Sequence, residues 1–281
     1  MLWQGRRKSA NVEDRRGLGG RGLKVGGGLG AIVAVLVYLF FGGNSDKITQ
    51  DIDLLQKNEP STERTLSAQE KEIGDFAAVV LADTEDVWNS LFSKMGREYP
   101  EPGMILFSTA TESACGSAES ATGPFYCPGD KKVYIDLDFF QELQRRLDAP
   151  GDFAMAYVIA HEVGHHIQKI LGIMDQRDRM REQMDEREFN RYSVQLELHA
   201  DFLAGVWAHH AQRMKNMLEE GDLEEAINAT GAVGDDRIQK RTQGHVVPDS
   251  FTHGTSEQRT RWFLKGFKTG DINQGNTLVG L

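Results

Sequence analysis

The chain has 281 residues, 40% of them hydrophobic and 26% charged, with a formal net charge of −10 and a pI near 5.3. That is enough apolar material for one sizeable domain plus an attachment segment, and it excludes a disordered chain. The acidic balance argues against nucleic acid as a partner, because phosphate backbones are met by basic surfaces.

Charge is unevenly placed from the start. Residues 1–24 carry Arg6, Arg7, Lys8, Arg15, Arg16, Arg21 and Lys24 against Glu13 and Asp14. Residues 25–43 carry no charge and hold an unbroken apolar run from Ala31 to Phe41. A spanning helix needs about 20 mostly apolar residues, so this stretch predicts a single transmembrane anchor in a lipid bilayer. A cleaved signal peptide is disfavoured, since Phe40-Phe41-Gly42-Gly43 offers no small-x-small site directly after the apolar core. The excess of Lys and Arg ahead of the span predicts a cytoplasmic tail over 1–24 and a translocated body. Residues 44–66 are polar, contain Pro60, and predict a linker.

Ser67-Ala-Gln-Glu70 has the capping-box pattern and opens an amphipathic helix through Phe76, Val79, Val80, Val87, Trp88, Leu91 and Phe92, ended by Gly96 and Pro100. Strands are predicted at 104–107 and 132–136. Between them lie the two cysteines, Cys115 and Cys127. Their spacing suits a disulfide if the body is exported; two free buried thiols or a metal pair are the competing readings. A helix follows over 138–147, and Ala149-Pro150-Gly151-Asp152 breaks the chain before the next one.

That next helix carries the chemistry. It contains His161-Glu162-Val163-Gly164-His165, an H-E-x-x-H in which the two histidines lie one turn apart on one face. Two imidazoles so placed can hold one Zn2+, and Glu162 can reach a water beside it. Five residues match by chance often enough that support is needed from elsewhere. It comes from Glu197 and Asp201, again one turn apart on a later predicted helix. Glu197 completes a three-ligand set with His161 and His165, and Asp201 can accept the second ring N–H of a ligating histidine. His199 is the rival to Glu197, but only Glu197 leaves Asp201 in register. Gly164 is costly inside a helix and predicts close approach of the second helix, with Ala200 and Gly205 offering small surfaces. Gln168 stands where a third histidine would need a preceding glycine, so the third ligand is expected to be a carboxylate.

The mixed-charge segment 175–191 predicts a solvated helical connection, and 214–243 predicts further helical packing. Thr252-His253-Gly-Thr-Ser256 opens a last helix through Trp262, Phe263 and Phe267, capped by Thr255 or Ser256. His253 lies just before it, where it either stabilises an oxyanion opposite the metal or serves as a capping or exposed residue. Residues 271–281, rich in Gly and Asn, predict a frayed tail.

The combination of His161-Glu162-x-x-His165 with Glu197-x-x-x-Asp201 resembles the gluzincin arrangement. More closely, residues 160–168, 197–201, 205–208 and 252–259 resemble the bacterial neutral zinc metallopeptidase family, the YpfJ-like group. The resemblance implies an α+β fold: a zincin-like metallopeptidase domain over 67–270, mostly helical with a small sheet, preceded by the transmembrane helix. By analogy with zincins, residues 133–136 are the candidate edge strand that holds an extended substrate. The expected protein is a zinc endopeptidase anchored in the bacterial inner membrane with a periplasmic catalytic domain, acting on peptide or protein substrates. The rival is a membrane-tethered interaction protein whose zinc serves structure only.

Overall fold

The structure, a computed structural model, describes residues 1–16, 65–119, 123–145, 147 and 149–278. The anchor expected over 25–43, and nearly all of the linker expected over 44–66, lie outside the described residues. Among the described residues no helix is long and apolar enough to cross a membrane.

The first half alternates strand and helix: β1 (Val12–Asp14), α1 (Ala68–Lys94), β2 (Gly103–Phe107), β3 (Ala110–Ser113), β4 (Gly116–Glu119), β5 (Phe125–Cys127), β6 (Lys132–Asp136) and α2 (Leu137–Arg145). The second half is helical: α3 (Asp152–Ile170), α4 (Arg177–Gln183), α5 (Glu186–Lys215), α6 (Asp222–Ala232), α7 (Asp235–Gln243) and α8 (Ser256–Thr269). Mostly helical with a small sheet, the fold is α+β, as expected.

Four strands form one sheet in the order β1-β2-β6-β5, parallel except for β5, which runs antiparallel to β6. The alternation of β2 and β6 explains their place. Met104, Leu106, Val133 and Ile135 point into the main core, while Ile105, Phe107 and Tyr134 join a smaller cluster on the other face. The edge expected at 133–136 is therefore corrected: β6 is internal, and the sheet's edges are β1 and, on the β6 side, β5. At three residues, β5 is too short for alternation to betray it. Cys115 lies in the turn of the β3–β4 hairpin and forms a disulfide with Cys127 at the end of β5.

Residues 1–14 also depart from expectation. They belong to the same compact unit as 68–281 rather than forming a separate tail. Their cations meet the carboxylates of α1: Lys8 pairs with Asp75 at 2.6 Å, Arg6 with Asp83 at 2.6 Å, and Arg7 with Glu85 and Asp86 at 2.9 and 2.7 Å. Trp3 stands edge-on to Phe76, and β1 extends the sheet beside β2. Three of the seven basic residues in 1–24, Arg6, Arg7 and Lys8, thus meet an acidic helix.

At the centre lies α3, buried along almost its whole length from Phe153 to Gln168 and packed between α1, α5, α6 and the sheet. A Cβ on Gly164 would lie 3.0 Å from the carbonyl oxygen of Ala200, so glycine permits the approach of α5. Gly205 does different work from that expected. It faces α8, where its added Cβ would fall 2.0 Å from the Phe263 carbonyl; Gly266 faces Phe202 equally closely. These reciprocal glycines let α5 and α8 cross backbone to backbone, which a single methyl would prevent.

The charged segment divides. A turn and α4 come first, then α5 begins at Glu186 with Asp185 and Glu188 forming a capping box. The expected frayed tail is partly corrected as well: Gly275 and Thr277 are buried, and the Thr277 hydroxyl donates to the Gln195 carbonyl at 2.7 Å.

Candidate metal centre

Helical spacing on α3 and α5 brings three side chains to one point. Nε2 of His161 lies 3.1 Å from one carboxylate oxygen of Glu197, and Nε2 of His165 lies 3.4 Å from the other. One donor atom from each of His161, His165 and Glu197 falls within 4.8 Å of the others. His199 is not part of this group; it is stacked on Phe202 on another side of α5.

The backs of both imidazoles are held, which aims their Nε2 atoms at the common point. His161 donates from Nδ1 to Asp201 at 2.8 Å. His165 donates from Nδ1 to Gln168 at 3.0 Å, and Gln168 is fixed by donating to the Leu196 carbonyl at 2.6 Å. The sequence offered a signal for Gln168, since it lies three residues after His165 on one helix face.

Asp201 is the hub of a buried network. Arg259 grips it with two N–H groups, Nε to Oδ2 at 2.8 Å and Nη2 to Oδ1 at 3.0 Å. The Tyr157 hydroxyl donates to Asp201 at 2.5 Å and receives an N–H from Arg259 at 3.2 Å. Neither Arg259 nor Tyr157 was assigned a role by sequence reasoning, which had only placed Arg259 within the 252–259 motif.

Electrostatics show what the centre demands. Burial works against charge on His161, yet Asp201 and Glu197 outweigh it and raise the pKa to about 10. His165 is raised similarly, against burial, by Glu197. The Glu197 carboxyl is held well below its usual range, against burial, by the two histidines. Arg259 and His161 likewise overcome burial to bring Asp201 down to about 2. Both carboxylates thus favour positive charge at the two imidazoles, a demand that a cation at the common point would meet. Two nitrogens and one carboxylate, backed in this way, fit a zinc ion with an open position.

Glu162 and His253 line the same cleft. The Glu162 carboxylate makes no hydrogen bond among the described residues, while His253 has its Nδ1 3.3 Å from Asp235. Asp235, which the sequence reading did not single out, also accepts the backbone N–H groups of Thr252, His253 and Gly254 at 2.6–3.0 Å, fixing the loop. The cap of α8 is Thr255, in a capping box with Gln258; Ser256 instead donates to the Gly231 carbonyl.

Behind the centre, His166 is fully buried, donating from Nε2 to the Pro100 carbonyl at 2.6 Å and leaving Nδ1 to accept from Tyr126. Burial lowers its pKa to about 4; burial, with His165 nearby, does the same to His199. Both folded values lie below the unfolded value of about 6.5. The unfolded chain therefore binds more protons, and stability present above pH 6.5 is lost as pH falls towards 4. In the metal-free protein the urea midpoint is expected to drop between pH 6.5 and 5, with a shallower drop in His166→Gln. Below 6.5 His161 is charged in both states and does not offset this. Equal slopes in the two proteins would contradict the assignment.

Two imidazoles, a carboxylate and a neighbouring free carboxylate in an open cleft define a metal-dependent hydrolase type of centre. The chain belongs to the family described as "Putative neutral zinc metallopeptidase", whose model matches residues 1–278. It is 47% identical to the uncharacterised Escherichia coli (strain K12) protein YpfJ over 99% of this chain and 98% of that one. It is 43% identical to the uncharacterised Mycobacterium tuberculosis (strain H37Rv) protein Rv2575 over 62% of this chain and 61% of that one. No solved structure matches. The family implies zinc and peptide or protein substrates.

Proposed function

We propose that the protein is a gluzincin-type zinc peptidase that hydrolyses peptide bonds with Glu162 as general base. The observation that carries this reading is the convergence of His161, His165 and Glu197 in a cleft where the Glu162 carboxylate is free to take a proton. Zinc held by those three residues would supply an acidified water and a Lewis acid for the peptide carbonyl. Glu162 accepts the proton from the attacking water and returns it to the leaving amine. Asp201 keeps the His161 ring in its ligating tautomer, and Gln168 does so for His165. His253, steadied by Asp235, offers an N–H towards the developing oxyanion. A substrate strand pairs with the β5 edge beside the cleft.

The test is metal content and hydrolysis together. Purified full-length protein is expected to carry roughly one zinc per chain, lost in Glu197→Ala because two imidazoles alone make a poor site. Zinc bound normally by Glu197→Ala would refute the ligand set. Retained zinc with equal inertness of wild type and Glu162→Gln across varied unfolded substrates would favour the tethered interaction protein.

The disulfide supports a body in an oxidising compartment. Thiol labelling of denatured, unreduced protein from cells is expected to leave Cys115 and Cys127 unmodified; ready labelling would overturn this location.

A further inference from the structure

The cleft has two unlike limbs. One, of about 760 Å³, passes β5 and is lined by apolar groups such as Phe125, Phe139 and Val158. The other, of about 470 Å³, is lined by the ligands His165 and Glu197 together with Arg177, Arg181, Asn190 and Ser193, Arg177 being shared with the first limb. We propose that this second limb binds a substrate carboxylate through Arg177 and Arg181, an inference that rests on the peptidase reading above.

Arg177 and Arg181 lie one turn apart on α4, with their guanidinium carbons 5.5 and 4.7 Å from the centre of the Phe189 ring. Contact with one aromatic ring restrains both planar groups while leaving N–H edges for a forked contact. Neither forms an ion pair among the described side chains. Arg6, Arg7, Arg187 and Arg259, by contrast, each meet a carboxylate. Besides the ligand Glu197, Glu186 is the one carboxylate that lines the limb, against the two arginines and His253. A planar anion answers this geometry, because Arg binds carboxylates through paired N–H groups. The substrate is thus a peptide with apolar residues on one side of the scissile bond and a carboxylate on the other. That carboxylate comes from an Asp or Glu side chain or from a free C-terminus.

The test uses full-length protein and matched peptides carrying Glu, Ala or Lys at each position around the cleaved bond, each as free acid and as C-terminal amide. Charge-assisted hydrogen bonds predict kcat/KM higher by about 10–100-fold for the carboxylate-bearing member of a pair. Preference for Glu in both acid and amide forms marks a side-chain site; preference for acid over amide alone marks C-terminal recognition. The ratio is expected to collapse towards unity in Arg177→Ala/Arg181→Ala, and Arg181→Glu to shift preference towards Lys. A ratio near unity in the wild type, or one that survives in both variants, overturns the proposal. If no peptide is cleaved, the peptidase reading fails separately, and equilibrium binding of the same labelled peptides decides. Tighter retention of carboxylate-bearing peptides by wild type than by the double variant supports the subsite; equal retention rejects it.

Discussion

Changing Glu162 to glutamine is expected to lower kcat by about 10²–10⁴-fold, the usual worth of a positioned general base, while leaving zinc content unchanged. Each tenfold loss corresponds to about 1.36 kcal/mol of barrier, so the effect amounts to about 3–5 kcal/mol in the transition state. Metal should stay because the group that converges on one point comprises His161, His165 and Glu197 only. Fold should stay because the amide is isosteric and the native carboxylate holds nothing together among the described residues. Thermal melting within a degree or two of wild type, full zinc and lost turnover is the expected combination. Unchanged turnover would end the general-base role.

Arg259→Leu is expected to damage stability and metal binding together. The Arg259 and Asp201 side chains are 4% and 0% exposed, so removing the guanidinium leaves a carboxylate buried without its principal countercharge. Breaking such a pair costs about 3–5 kcal/mol. For a chain of this size the melting temperature should fall by on the order of 10 °C. Loss of the Asp201 anchor also frees the His161 ring, and disturbing such a supporting contact lowers metal affinity by about 10–100-fold. Arg259→Lys restores charge without the fork and should fall between. Calorimetry with a zinc titration in competing chelator checks both readouts. A variant with normal melting and normal affinity would show that Asp201 needs no partner from α8.

The metal helix was legible in the sequence because its geometry is local. The i, i+4 spacing of His161 and His165, and of Glu197 and Asp201, fixes a shared face before any tertiary contact forms. Gly164 was legible for a related reason, since a helix tolerates glycine only where something presses close. What stayed hidden depends on distant partners. Arg259 reaches Asp201 across 58 positions and Tyr157 across 102, and nothing in periodicity links them. Asp235 reads as an ordinary first-turn acid until the 252–254 loop is seen to hang from it. β1 and β5 are three-residue strands that owe their existence to β2 and β6. The pairing of Arg6 and Arg7 with carboxylates of α1, more than 70 positions away, is equally invisible to a local reading.

Because β1 is knitted into the same sheet as β2, the polypeptide from 15 to 67 departs from one body and rejoins it. A chain so held is expected to cross a bilayer an even number of times or not at all. Two crossings would consume about 40 apolar residues, roughly twice what the uncharged stretch over 25–43 provides. Reporters fused to the two termini should therefore light up in the same compartment, whichever compartment that is.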